Sequence, residues 1–240
     1  MPICAYCESD SIGMTREHVW PRCIQERTKF ELRFSGKAKK IVRNDLIVKD
    51  VCAKCNNETL SGLDSYFCDL YDAYFAHQLS TDQSVTLKYD FGKLSRSLLK
   101  LAYNSSRTTG QDQEALSKYA PVIAADAVPL GVFIKVATIS PYESFDVKTG
   151  KWKTIPAMSA RCGPFFVLGR HAAGLTSRMV QINAYRFYII ATDDLQNRSA
   201  AVRYLSNESG TWLSQAGETF VPCPTMSALQ SFQGIENWRR

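Results

Sequence analysis

Apolar residues follow different rhythms in different parts of this 240-residue chain, and the changes of rhythm mark its elements. Residues 1–8 hold Cys4 and Cys7 in a stretch too short to fold without a ligand. Residues 11–20 read as extended, and Pro21 ends the strand by removing a ladder donor. Residues 24–44 have no clear period and include Gly36, Lys37, Lys39 and Lys40, which suits a loop or a short helix. Leu46, Ile47, Val48 and Val51 predict a second strand running into Cys52. From Asn56 onward, Leu60, Leu63, Phe67, Leu70 and Tyr74 fall at alternating three- and four-residue steps, the spacing of one helix face, predicted to end near Leu79.

Residues 80–84 are a polar joint, and a boundary there divides the chain into 1–80 and 81–240. Leu94, Leu98, Leu101 and Ala102 predict a helix over 91–106. Residues 114–120 predict a short one that Pro121 stops. The pattern then turns to strands, over 132–139, 165–168, 179–183 and 186–192. A hairpin is expected over 145–155, where Lys148-Thr149-Gly150-Lys151 forms the turn and Gly150 supplies the positive φ. A turn at 207–210 and a closing helix over 226–238 complete the reading. The class this predicts is α+β: a strand–strand–helix unit, then a mixed α+β domain with helices and an antiparallel sheet.

Composition is globular, with 45% hydrophobic and 22% charged residues. No apolar run reaches the roughly 18 residues that a membrane span needs. The N-terminus has no basic n-region, apolar h-region or cleavage site, so a cytoplasmic protein is expected. The net charge of +6 favours an anionic partner, and its distribution says more. Lys29, Arg33, Lys37, Lys39, Lys40 and Arg43 face a single acid, Glu31, across one segment, and Lys37, Lys39, Lys40 and Arg43 are the candidate nucleic-acid contacts. Lys93, Arg96, Lys100 and Arg107 form a second basic run, open to two readings: a phosphate-facing surface or a solvated helix face.

Four of the eight cysteines form two C-x-x-C pairs, Cys4/Cys7 and Cys52/Cys55, separated by 44 residues; Cys23, Cys68, Cys162 and Cys223 stand alone. Two such pairs read as a four-thiolate zinc site that closes the intervening loop, since a redox C-x-x-C occurs once, in a βαβ setting. That zinc is closed and structural. Chemistry has to come from other residues.

Between the pairs lies Glu17-His18-Val19-Trp20-Pro21, and Asn56-Asn57 follows the last cysteine. Hydrolysis of a phosphodiester needs a base to activate water and an electrophile to neutralise the phosphate. An unperturbed imidazole titrates near neutrality, which suits His18 as the base. Glu17 and Asn56 offer hard oxygen ligands for Mg²⁺ or Mn²⁺. Adjacent strand residues point to opposite faces, so Glu17 and His18 share a site only where the backbone is irregular.

Over its first 60 to 75 residues the chain resembles the HNH endonucleases, and among them the zinc-stapled members with the ββα-metal fold. The resemblance implies His18 as general base, Glu17 and Asn56 as ligands of the catalytic ion, and products with 5′-phosphate and 3′-hydroxyl ends. The family's central asparagine falls on Ile47 here, with Asn44 three residues earlier. The resulting expectation is a metal-dependent endonuclease acting on DNA in preference to RNA. Residues 81–240 would serve substrate selection, regulation, or contacts to a protein partner or a second copy. The alternative is a catalytically inactive, zinc-stapled nucleic-acid-binding module.

Overall fold

The computed structural model describes residues 2–10, 13–28, 33–35, 40–42, 46–157, 160–165, 174–192, 198–228 and 230. In chain order, β1 (Met14–His18) is followed by α1 (Arg22–Arg27) and a small hairpin, β2 (Arg33–Ser35) with β3 (Lys40–Val42). β4 (Ile47–Cys52) then pairs antiparallel with β1, and the chain enters α2 (Ser61–Leu70) through a wider π-type stretch at Cys55–Leu60 and leaves it through another at Tyr71–Phe75. Strand, strand and helix therefore follow in the expected order. The segment between the strands is a helix plus a hairpin, where a loop or a single short helix was expected.

β5 (Val85–Lys88) follows directly on the polar joint; its four residues are too few to carry a readable period, and their partner, β13 (Glu218–Val221), lies far along the chain. The longest helix is α3 (Phe91–Thr109). The Asp90 carboxylate caps it by accepting from the Lys93 amide at 2.9 Å, and Gly110, in the left-handed region at φ 81°, ends it. α4 (Gln113–Ser117) and α5 (Ala120–Ala124) come next. Pro121 opens α5 instead of stopping a helix, because the first turn has no need of its missing N–H.

The remaining strands are β6 (Val132–Ser140), β7 (Tyr142–Asp146), β8 (Lys151–Ile155), β9 (Ala160–Pro164), β10 (Thr176–Ile182) and β11 (Tyr185–Ala191). After α6 (Arg198–Tyr204) come β12 (Thr211–Trp212), β13 and β14 (Met226–Ser227). β12-β6-β11-β10-β9 form one antiparallel sheet, to which β14 adds in parallel beside β6. β7 and β8 make the predicted hairpin, with Gly150 at φ 65°. Two of these expectations need correction, and one helix was missed. The strand predicted over 165–168 lies earlier, at β9, and Phe165 follows it; residues 166–168 fall outside the described residues. The closing helix starts later than expected: Met226 and Ser227 form β14 beside β6, Ala228 and Gln230 are helical, and the rest of the predicted span falls outside the described residues. α6 was not foreseen from the pattern of the chain.

The fold is α+β, as the pattern predicted. Along β10 and β11 alternate residues face opposite sides. Val180, Ile182, Phe187 and Ile189 join the main core; Met179, Tyr188 and Ile190 join a smaller one with Ala201 and Leu205 of the α6 region. The main core runs without a break from Val19 and Trp20 through Leu63, Phe67 and Phe75, across Leu94, Leu98 and Leu101, to this sheet. α3 is the element they share. It packs on α2, α4 and α5 and touches β4, β9 and β10, and from Leu94 to Thr108 nearly every residue is buried.

Candidate functional site

The four thiols meet. Cys4, Cys7, Cys52 and Cys55 place their sulfurs within 4.8 Å of one another, with Cys7 and Cys52 at 3.8 Å. Four sulfurs about 2.3 Å from one zinc lie roughly 3.8 Å apart, so the residues fit a structural metal such as zinc. Local backbone accounts for the assembly. Glu8, in the left-handed region at φ 56°, closes the first turn by donating its backbone N–H to the Cys4 carbonyl at 2.9 Å. The Cys52 amide donates to Cys4 Sγ at 3.3 Å and the Cys55 amide to Cys52 Sγ at 3.4 Å. Hydrogen bonds from the Ser9 side chain and backbone lower the Cys7 thiol to about 6, which favours the thiolate that a metal requires.

On the neighbouring strand, the place of the irregularity decides which way each side chain points. The β1–β4 register shifts between Thr15 and Glu17, before the Glu17-His18 pair, and regular pairing resumes with Glu17 opposite Val48 and His18 opposite Ile47. The two side chains therefore leave the strand on opposite faces. Glu17 turns inward and is 3% exposed. His18 is half-buried, with Gln25 Nε2 of α1 at 3.5 Å from its Nδ1. Asn56, at the start of the helical stretch, donates its Nδ2 to Thr15 Oγ1 at 2.8 Å and to the Arg16 carbonyl at 3.1 Å, which leaves Oδ1 as the ligand atom it could offer.

The surroundings of Glu17 come from α3. Lys100 Nζ lies 2.6 Å from Glu17 Oε1 and also pairs with Asp64 Oδ1 of α2. Asn104 Nδ2 donates to Glu17 Oε1 at 3.3 Å and to the His18 carbonyl at 3.2 Å, and its Oδ1 accepts from Tyr6 Oη at 2.6 Å and from Arg107. Arg107 also reaches Asp50 Oδ1 at 2.6 Å and stacks on the rings of Tyr6 and Tyr103. Burial pushes the Glu17 carboxyl up; the Lys100 ammonium pulls against this and Asp64 adds to it. Burial works against the charge of Lys100, but Asp64 and Glu17 outweigh it and hold the ammonium above the usual lysine value.

An Mg²⁺ or Mn²⁺ ion on Glu17 and Asn56 therefore has to compete with Lys100 and Asn104 for Glu17 Oε1. Asn56 has an oxygen to give, whereas Glu17 Oε1 is already taken by an ammonium and a carboxamide.

No family model, no curated protein and no solved structure matches the chain.

The remaining candidates divide. Lys37, Lys39 and Arg43 lie outside the described residues, as does Asn44, while Lys40 begins β3. Ile47 sits directly across from His18. Of the second basic run, Arg96, Lys100 and Arg107 are all buried and each holds an acid: Asp126, Glu17 with Asp64, and Asp50. They are neither a phosphate-facing surface nor a solvated helix face. Lys93 alone of the four is exposed. A cleft of about 420 Å³ between β4 and the end of α3 is lined by Ile47, Lys49, Asp50, Arg107 and Gln113, but Asp50 already neutralises Arg107 there. Cys23 and Cys68, isolated in sequence, form a disulfide with a Cα–Cα distance of 6.4 Å that ties α1 to α2.

Sequence reasoning missed Lys100, Asn104 and Arg107 as parts of the site. The signal that could have found them was their spacing: with Arg96 they fall near four-residue steps, a polar stripe along one face of a single helix. Among the described residues no helix is long and apolar enough to cross a membrane.

Proposed function

We propose that this chain is a zinc-stapled phosphodiester hydrolase of the HNH type, acting on nucleic acid and on DNA first. The observation that supports it is one juxtaposition. β1 carries His18 to the edge of a strand pair whose other strand runs through the cysteine cluster into a helix, and the first residue after the last cysteine, Asn56, bonds back onto β1 at Thr15 and Arg16, just ahead of Glu17 and His18. In this reading His18 takes a proton from water as the water oxygen attacks phosphorus, the P–O3′ bond breaks with its electron pair going to O3′, and O3′ takes a proton from solvent, which leaves a 5′-phosphate and a 3′-hydroxyl. The divalent ion that such hydrolysis uses supplies charge neutralisation at the phosphate when bound, with Asn56 Oδ1 the ligand on this chain best placed to meet it.

A second reading has its own observation. The Glu17 carboxylate is closed on Lys100, which favours a zinc-stapled nucleic-acid-binding module that has kept the scaffold and lost the chemistry. Cleavage of supercoiled plasmid by the purified, zinc-loaded chain in Mg²⁺ or Mn²⁺ separates the two. Nicking that a chelator abolishes and that falls by at least about 10²-fold in His18→Ala, with zinc content and folding retained, is the nuclease result. Salt-sensitive DNA binding with no cleavage by wild type or variant overturns the nuclease in favour of the module.

A further inference from the structure

Two carboxylates from different elements converge on one buried point. Glu17 comes from β1 and Asp64 from α2, and the point between them is the Lys100 ammonium of α3, itself 1% exposed. Carboxylate oxygens that converge on one point are what a hard divalent cation takes as ligands, and here Glu17 is buried while Asp64 is about a quarter exposed. Here the chain has filled that place itself. Lys100 makes a charge-assisted bond to each acid, so leaving would strand its own charge and both of theirs. The helix that delivers it is buried on nearly every side, which denies the ammonium an alternative position in water. Asn104, one turn further along, binds both the Glu17 carboxylate and the His18 carbonyl, so the same helix face fixes the backbone on which His18 rides.

We propose that Lys100 is the resident cation of the Glu17–Asp64 site: α3 supplies permanently the positive charge that a divalent ion would otherwise bring, and Glu17 is an anchor that fixes β1 on α3 and not a ligand of a catalytic ion. Lys100 is thus a positioning residue. Any ion used in cleavage is held without Glu17.

The test reads Mn²⁺ occupancy and not cleavage, so a chain that proves inactive still gives an answer. Mn²⁺ binding to the zinc-loaded full-length protein is followed by electron paramagnetic resonance, with thermal unfolding measured at the same Mn²⁺ concentrations. Wild type and Glu17→Gln are expected to bind Mn²⁺ alike and to show the same response of Tm. Lys100→Ala, which vacates the point between two carboxylates, is expected to gain a Mn²⁺ site and to rise in Tm by roughly 5–10 °C at a hundredfold excess over Kd. Adding Glu17→Gln to Lys100→Ala should remove that gain. The proposal is overturned if Glu17→Gln weakens Mn²⁺ binding by roughly tenfold or more relative to wild type. It is equally overturned if folded Lys100→Ala gains no site. Should Lys100→Ala stay unfolded at every Mn²⁺ concentration, wild type against Glu17→Gln, both of which keep Lys100, decides alone.

Discussion

Among the described residues two lysines are buried, and in opposite ways. Lys100, at the seam between α3 and β1, faces two carboxylates, and its pKa is raised. Lys135, in the middle of β6, gives its Nζ to two backbone carbonyls, Leu205 at 3.1 Å and Glu208 at 2.5 Å, and lies 5.8 Å over the ring of Trp212. Burial pulls its pKa down and the Glu208 charge opposes this only in part. Both sites are dry. The difference is what meets the ammonium: full negative charges hold a proton that dipoles and a π-face do not. The same burial makes Lys100 part of an electrostatic joint between distant segments and makes Lys135 a hydrogen-bond donor to the turns after α6.

Removing the cysteine cluster should break this comparison most completely, because Glu17 meets Lys100 only while β1 is held on β4. A structural zinc site of this kind is worth about 10–16 kcal/mol of binding free energy that is also folding free energy. Cys52→Ser, or a strong chelator, is expected to abolish hydrogen-exchange protection of β1, β4 and the Cys55–Leu60 stretch, while β6, β10 and β11 with Lys135 stay protected. Loss of protection throughout both regions at once would show that the sheet cannot stand without the cluster.

Next in size are the lysines themselves. Lys100→Met leaves two carboxylates facing each other with no cation and should cost about 3–5 kcal/mol in urea denaturation. Lys135→Met leaves carbonyls without a donor and should cost about 1–3 kcal/mol. Equal losses would mean that the carboxylates at Lys100 reach water more readily than their burial implies.

The pH profile is the finest of the three. A folded pKa above the unfolded value means that Lys100 contributes stability that is fully present below the ordinary lysine pKa and is lost as pH rises through the raised folded value. Lys135 runs the other way. Its folded pKa is lowered, so the unfolded chain binds the proton more readily and stability is gained as pH rises from the lowered value to the ordinary one. Urea midpoints of wild type minus each Lys→Met variant, taken from about pH 8 to 11, should slope down for Lys100 and up for Lys135. Parallel slopes would remove the distinction between charge and dipole as the holder of the proton.

What was legible follows from range. The cysteine frame, β1, β4 and the helix after Cys55 lie within one stretch of chain, and their spacing and periodicity are local facts that survive folding. β5 was missed because its sheet partner, β13, is more than a hundred residues away, and a four-residue strand carries too little pattern alone. Pro121 was misplaced because proline ends one helix and begins another equally well, and only the position of the preceding turn decides between them. The candidate site divided along the same line. Glu17, His18 and Asn56 were readable as residues of the right chemistry, while the face each occupies was set by a bulge one residue earlier and by α3.

By itself the sequence determined the α+β class, the four-thiolate cluster, most strands of the second half and the amphipathic helix that leads out of the cluster. Periodicity, spacing and side-chain chemistry are written in neighbouring residues. Only the tertiary structure decided that α3 is buried nearly all round, that its buried basic residues pair with acids of the same chain, and that Glu17 Oε1 meets Lys100. A charge in a sequence has a sign and no partner; burial and pairing are supplied by residues brought together from distant parts of the chain, and those set its energy, its protonation and what it is free to bind.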